Sequence, residues 1–476
     1  RWQLRIKLKP VRGYRNAGTH DRGLFYFRNH IQATGYVYKT TPLLLGKDDS
    51  WDIVLFLRHR LRLKIQEALG GQPSLGIISA LAIGERSGIS AEQWEIFRMS
   101  GIGHLMAISG LHVGLASLFG CLFIRLLWCV GLLSSVKTPR SHLVSAGGFL
   151  FGLAYAALSG FPLPTVRALT MLSTYTIVGA LANRLHRPEV FLGLAMLAVG
   201  ILNPIDVSSA GFWLSFVAVW IIFRTHKVYR DKYPTLGRPS TGSGSIRWAV
   251  RDYVFTLCVI QLALFIGLLP LQALFFGNIS FVSPFVNLFY VPLFGLLVVP
   301  LVLSGCFALV FIDESIGGGL LVASGWLVTR LMEPLAELDQ FYFSTLDLSN
   351  NHQQLIVLGM LVGTGMYVKK LRLILVIIVT VILLASSTLA SVLGDREVRM
   401  RVLDIGQGLA VLIQTRDHAM LFDTGPSFGQ FSTGERVLLP VLRRYGVTRL
   451  DRIIISHVAS DHAGGLEAIS VNVALD

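Results

Sequence analysis

His457, Asp461 and His462 fall within six residues, in the run Ser456-His-Val-Ala-Ser-Asp-His-Ala-Gly-Gly465. Imidazole nitrogens and a carboxylate at this spacing suit a borderline divalent cation such as zinc or manganese. The run follows Leu450-Asp-Arg-Ile-Ile-Ile-Ser456, an apolar segment that reads as a buried strand, so a rigid support presents the ligands. Gly464 and Gly465 are expected to let the backbone turn tightly. A polar strand-to-helix loop without metal is the plainer alternative. Asp423 opens Asp423-Thr-Gly425 at the end of an earlier strand and is a candidate orienting or catalytic carboxylate. Asp461 is a second catalytic candidate.

A different set of polar residues flanks or enters apolar runs: Arg86, Arg98, His104, His112 and Arg167. Ionisable groups at membrane depth are expensive and face a cavity or a partner. A phosphate backbone crossing a bilayer needs such cations, because each phosphate carries a charge. Local ion pairing and snorkelling at helix ends are the alternatives. Phe281, Phe285 and Phe289 recur every four residues and share a helical face. Stacking of bases on aromatic rings stabilises by roughly 1–3 kcal/mol per base and tolerates any sequence; core packing is the commoner use of such a stripe. Pro284, Pro292 and Pro300 are expected to break this segment, as happens where helices line a cavity.

These residues need positioning, and composition shows how. Of 476 residues, 53% are hydrophobic and only 15% charged. Soluble domains carry about 25% charged residues, so a fully soluble protein is excluded. The four cysteines lie in apolar runs and exclude a disulfide scaffold. The net charge of +14 points to cytoplasmic loops, lipid headgroups or a polyanion. Residues 1–70 are polar and basic. Trp2–Lys9 alternates like a half-buried strand, and Ala33–Leu45 reads as further strand. Ser50 caps an expected helix to Leu69 whose Arg58, Arg60, Arg62 and Lys64 suit a bilayer or a polyanion, or a solvated face.

Residues 71–394 are membrane-like. Leu105–Ile124, the 60 residues Tyr253–Ile312 and the 22 residues Leu373–Gly394 hold no Asp, Glu, Lys or Arg. About 20 apolar residues cross a bilayer. With shorter runs at 143–158, 168–182, 190–202, 210–223, 315–329 and 355–368, about ten crossings are expected, the 60-residue run crossing twice. Basic loops at Lys137/Arg140, Arg184/Arg187, Arg224–Arg251 and Lys369–Arg372 are cytoplasmic by the positive-inside rule. The loops holding Asp206 and Glu333–Asp347, and both polar end blocks, then lie outside. Residues 395–476 read as strands at 398–403, 409–415, 419–423 and 450–456 with a helix at 435–445, an α/β layer. The chain starts at Arg1 and stops at Asp476 inside an unfinished domain, so a fragment is expected.

The run His457–Gly465 resembles the metal loop of the metallo-β-lactamase fold. Leu403-Asp-Ile-Gly-Gln-Gly408 narrows the likeness to the variant fused to ComEC, the competence DNA-uptake family. Ala80-Leu-Ala-Ile-Gly-Glu-Arg86, Phe97–Val113, Ser159–Ala168, Asn203-Pro-Ile-Asp206 with Ala210–Phe216, and Phe276-Gly-Asn-Ile-Ser280 resemble boxes of its membrane domain. The resemblance implies a multi-span α-helical membrane protein between a partial, β-rich oligonucleotide-binding (OB) region and a truncated metallo-β-lactamase-like domain. It implies an inner-membrane channel passing single-stranded DNA inward during natural transformation, with the metal domain degrading the other strand. Its implied partners are membrane lipid, a periplasmic or surface DNA receptor, and a cytoplasmic DNA motor or single-strand-binding proteins. Two departures stand out. Ala459 replaces a ligating residue of many members, and Leu409 replaces an aspartate. A zinc or manganese ion is therefore expected to be weakly held or absent in this chain. The rival readings are a membrane-anchored metallohydrolase acting on something other than nucleic acid, and a secondary transporter, which would show inverted repeats; none is visible.

Overall fold

The computed structural model describes residues 2–337, 345–347 and 393–475, leaving aside 20, 30, 39–42, 45–51, 134, 137, 182–187, 233–244, 277 and 430. The expected runs at 355–368 and, but for its last two residues, 373–394, and the basic loops at Arg184/Arg187 and Lys369–Arg372, lie outside these residues. The chain divides into two compact units. One holds Arg1–Asp49, Gln272–Gly277 and Asp347–Asp476, the other Ser50–Leu271 and Asn278–Leu346.

The N-terminal residues form β1 (Trp2–Gln3), β2 (Ile6–Pro10), α1 (Arg22–Arg28), β3 (Ala33–Val37) and β4 (Leu43–Leu44). β2 pairs antiparallel with β3, setting Lys9 opposite Thr34, and β1 pairs with β4. Asp21 caps α1, its Oδ1 accepting the Leu24 N–H at 2.9 Å. The half-buried strand expected at Trp2–Lys9 is instead exposed at every position of β2. A two-stranded ribbon offers no second layer to cover either face. Among the described residues these two pairs stand where a partial, β-rich OB-like region was expected. Pro10, without an N–H for the ladder, ends β2.

Helix α2 (Ile53–Leu69) belongs with the membrane helices. Leu61, Ile65 and Leu69 share one face and are buried with α3 (Leu75–Ile83). Asp52, not Ser50, caps it, accepting from the N–H groups of Val54 and Leu55. Its cations are tied to protein: Arg58 donates to the Ile83 carbonyl at 3.3 Å, Arg62 pairs with Glu85 at 3.1 Å, and Arg60 and Lys64 pair with Glu314. A free basic face for lipid or polyanion is thereby reduced to a set of clamps.

There follow α4 (Ala91–Ser100), α5 (Gly110–Cys129), α6 (Arg140–Ser159), α7 (Leu163–Leu181), α8 (Pro188–Leu202), α9 (Ala210–Lys232), α10 (Ser245–Phe276), α11 (Ser283–Leu293), α12 (Val299–Phe311) and α13 (Glu314–Glu337). Ten crossings were expected. Among the described residues five helical segments are long and apolar enough: Gly110–Cys129, Arg140–Ser159, Arg251–Phe276, Ser283–Phe311 and Glu314–Glu337. The 60-residue uncharged run supplies two of these. α7 and α9 fall short because Thr, Ser and charged residues dilute their hydropathy, and α8 is short. α5 and α6 pack through glycines: a Cβ on Gly120 would stand 2.3 Å from the Gly147 carbonyl oxygen. Small residues let membrane helices approach in this way. The prolines do not break Ser283–Phe311. Pro284 sits in the first turn, where its missing N–H is not needed, and Pro300 directly follows a π-turn inside the continuous segment. Pro292 lies inside the helix, and a π-turn at Phe294–Val298 follows it, immediately before Val299 and Pro300.

The C-terminal residues build a mixed four-stranded sheet from β5 (Arg399–Val402), β6 (Val411–Gln414), β7 (Ala419–Phe422) and β8 (Arg452–Ile454), in the order β8-β7-β6-β5. β8 runs parallel to β7, with Ile454 opposite Phe422, and the other pairs are antiparallel. The Gly434–Arg444 helical segment covers one face with Val437, Leu438, Val441 and Leu442, burying them against Leu412 and Leu421. The expected α/β layer is present, with the Leu450–Ser456 strand interrupted at Asp451. That side chain turns back to accept the Ala419 N–H at 2.7 Å.

Candidate metal centre

The parallel pairing of β7 and β8 brings the C-terminal ends of these two strands together at one end of the sheet. Asp423 leaves β7 and Ser456-His457 follow β8. Asp423 N–H donates to the Ile454 carbonyl at 2.8 Å, and its φ of +55° lies in the left-handed region. Aspartate tolerates that region better than most residues. The turn aims the carboxylate inward, where it is fully buried. Oδ1 accepts the Ser456 N–H at 2.7 Å; Oδ2 accepts the Ser456 hydroxyl at 2.8 Å and lies 2.7 Å from His462 Nδ1. Burial pushes the Asp423 carboxyl up, but the bonds to His462 and Ser456 outweigh it and hold it below the ordinary carboxylate range.

His462 sits on a single helical turn, Ser460–Ala463, that begins after Ala459. Its carbonyl receives the Thr424 N–H at 2.7 Å and the Thr424 hydroxyl at 3.0 Å, locking the turn to the Asp423 segment. The glycines after the cluster have ordinary negative φ, so they do not supply a special turn. They permit close approach. A Cβ on Gly464 would stand 2.3 Å from Ser427 N, and one on Gly465 2.4 Å from the Thr424 carbonyl oxygen.

One ligand atom from each of His457, Asp461 and His462 lies within 4.8 Å of the others. The two imidazole rings are 4.1 Å apart, and His462 Nε2 is 3.9 Å from Asp461 Oδ2. With Nδ1 of His462 held by Asp423, Nε2 is the nitrogen left for a cation. Carboxylate–imidazole–metal relays are built this way. The donor set fits one divalent cation with coordination positions to spare. Asp423 has both oxygens committed and acts through His462, while Asp461 is partly exposed beside the rings. Ser456, which the sequence reading left without a role, is the hinge of this network. Its hydroxyl also lies 3.1 Å from His457 Nδ1.

The residues expected along a membrane path are placed differently. Arg167 of α7 meets Asp206 at 3.0 Å, both side chains almost fully buried. The Asp206 Oδ1 also accepts the Ser209 hydroxyl at 2.8 Å. A lone carboxylate in an apolar stretch calls for a partner, a signal already present in the sequence. His112 is fully buried in α5 and caps its own helix, Nδ1 accepting the Ser109 N–H at 3.0 Å; its Nε2 has no hydrogen-bond partner among the described residues. His104 is exposed, with Nδ1 3.1 Å from the Gly101 carbonyl. Arg98, exposed in the last turn of α4, pairs with Glu95. Arg86 is half-buried, and Glu85 pairs with Arg62 rather than with it. Phe281, Phe285 and Phe289 are 50%, 68% and 64% exposed, so the stripe is not core packing; Val286 and Asn287 take the buried face. In the other unit, Lys9, Arg12 and Arg22 line an open pocket with Tyr14 and Tyr26, a basic and aromatic surface.

Competence proteins match residues 81–373, more than half of the chain. The chain belongs to the Competence protein family. Residues 403–471 match the metallo-beta-lactamase superfamily, a stretch that holds β6, β7, β8 and the cluster just described. Across 98% of its length the chain is 31% identical to Competence protein ComA of Neisseria gonorrhoeae, covering 63% of that relative. It is 28% identical to Recombination protein 2 of Haemophilus influenzae, over 98% of the chain and 60% of the relative. It is 25% identical to ComE operon protein 3 of Bacillus subtilis, over 95% and 56% respectively. The chain thus spans about three-fifths of the length of these curated relatives. No solved structure matches it. The two matches stand side by side in this chain, the first over the apolar helices and the second over the His457–Asp461–His462 cluster.

Proposed function

We propose that this protein carries single-stranded DNA across the cytoplasmic membrane in natural transformation. The observation that carries the reading is the union, in one competence-family chain, of apolar spanning helices with a three-ligand metal cluster oriented by a buried aspartate. Anchoring alone needs one span. Both soluble blocks stand on the non-cytoplasmic side, consistent with the basic loops between the helices. The pocket of Lys9, Arg12, Arg22, Tyr14 and Tyr26 supports contact with a nucleic-acid strand: cations meet phosphates and rings stack on bases. Arg86, Arg98, His104, His112 and the exposed Phe281, Phe285 and Phe289 remain the candidate path residues, while Arg167 is committed to Asp206. His457, Asp461 and His462 would hold the divalent cation, zinc or manganese, which when bound supplies Lewis-acid help for phosphodiester hydrolysis. Asp423 fixes the His462 ring, and the cluster acts on the strand that is not carried inward. A DNA receptor outside and a motor or single-strand-binding protein inside complete the route.

The test is uptake of labelled DNA in a transformable host lacking the gene, complemented with the full-length gene or with Asp461→Ala. The deletion should abolish entry of DNA into the cytoplasm. Asp461→Ala should restore membrane levels while leaving the second strand undegraded. Normal uptake in the deletion strain would refute the reading and favour a membrane-anchored hydrolase with another substrate.

A further inference from the structure

We infer that Tyr14 and Asn16 are positioning residues for the metal centre, acting through the turn Asp404–Gly408. The inference rests on the reading of His457, Asp461 and His462 as the ligands. The loop after β5 is closed by the Leu403 N–H bond to the Ala410 carbonyl at 2.9 Å, and the residues between leave the ladder. The N-terminal segment, almost four hundred residues away in sequence, supports that loop. The side-chain amide of Asn16 makes a two-point contact with the backbone of Asp404. Its Oδ1 accepts the Asp404 N–H at 2.8 Å, and its Nδ2 donates to the Asp404 carbonyl at 2.7 Å. Arg15 N–H donates to Asp404 Oδ2 at 3.0 Å. The side chain of Asp404 is thus engaged in holding the segment, not in ligating.

Tyr14 supplies the second contact. Its ring packs against the core of the sheet domain and lies 3.0 Å from where a Cβ on Gly406 would stand. Gly406 has a φ of +81°, so the turn passes under the ring in a conformation that only glycine adopts freely. Two residues on, Gly408 has a φ of +107°, and a Cβ there would stand 2.1 Å from the Asp461 carbonyl oxygen. The turn therefore lies between Tyr14 and Asn16 on one side and the Asp461 backbone on the other. Displacing it removes the wall against which Asp461 rests. Only an amide satisfies both the N–H and the C=O of Asp404; a carboxylate at position 16 cannot donate.

The experiment uses the full chain in detergent with Co²⁺ as the probe, whose visible bands report ligand geometry. Asn16→Ala and Tyr14→Ala should each weaken cobalt binding about tenfold, as removal of groups behind metal ligands does, and should shift the bands. Asn16→Asp, which keeps the bond from the Asp404 N–H but sets an anion against the Asp404 carbonyl, should also weaken it, and Tyr14→Phe, which keeps the ring, should bind as the parent does. Wild-type affinity and unchanged bands in both alanine variants would overturn the inference while leaving the metal site standing. No cobalt bound by the parent protein would overturn the metal assignment itself, and this inference with it.

Discussion

Asp206 and Asp423 are both buried carboxylates paired with a cationic or imidazole side chain, yet the two regions use the same device in opposite ways. Asp206 faces Arg167, and the two side chains are 2% and 6% exposed, so both ends of the pair are enclosed. Asp423 is enclosed too, but its partner His462 keeps 20% of its side chain exposed and turns Nε2 outward. The first pair consumes its charges within the helix bundle. The second spends a buried charge on orienting a ring whose other nitrogen remains available. Burial of one carboxylate is thus a poor guide to function; the exposure of its partner decides.

The largest expected effect follows from the enclosed pair. Arg167→Ala leaves Asp206 buried without its counter-charge, and Asp206→Ala does the reverse. Breaking a buried pair from one side costs about 3–5 kcal/mol, whereas replacing both partners with apolar residues is close to neutral. Either single variant should therefore be depleted from the membrane and melt early, and Arg167→Met with Asp206→Leu should recover both properties. Normal membrane levels with lost DNA uptake in Arg167→Ala would break the comparison and return this arginine to the translocation path.

Much of this was legible in the sequence. The uncharged runs gave the helices, because backbone groups in lipid must be satisfied internally. The spacing of His457, Asp461 and His462 after an apolar strand gave the cluster. Pairings across long separations were not legible. Arg167 with Asp206, His462 with Asp423, and Asn16 with Asp404 each depend on tertiary placement that no local pattern encodes. Gly464 and Gly465, which their place after the cluster marks as turn residues, instead admit the Ser427 and Thr424 backbone. The basic face of α2 looked free because its partners Glu85 and Glu314 lie elsewhere in the chain.

The half-open pair gives the next effect. Asp423→Asn keeps the size of the side chain but removes the charge that fixes the proton on His462 Nδ1. Metal affinity should fall about 10–100-fold, measured by calorimetric titration of the full chain with Zn²⁺ or Mn²⁺. The thermal midpoint should move far less than in Arg167→Ala, because the remaining amide still fills the site. Equal metal affinity in the variant would show that Asp423 only holds that end of the sheet, as Asp206 holds its bundle.

The smallest effect belongs to a third carboxylate–imidazole pair, on the surface of the same sheet. His418 Nδ1 lies 2.8 Å from Asp451 Oδ1, with side chains 74% and 32% exposed. The hydrogen bond to Asp451 raises the His418 pKa, and the bonds from His418 and from the Ala419 N–H lower that of Asp451. A raised histidine contributes stability that is complete below its unfolded pKa, about 6.5, and fades as pH rises through the folded value. A depressed aspartate contributes stability that is complete above its unfolded value, about 3.9, and fades as pH falls through the folded one. The pair therefore stabilises between those limits and loses its contribution on either side. Exposed pairs are weak and screened by salt. His418→Ala should lower the thermal midpoint by about a degree near pH 5 in low salt, and by nothing measurable near pH 9 or in 1 M salt. A large, salt-insensitive loss would mean that exposure does not separate these pairs, and the distinction between Asp206 and Asp423 would need another basis.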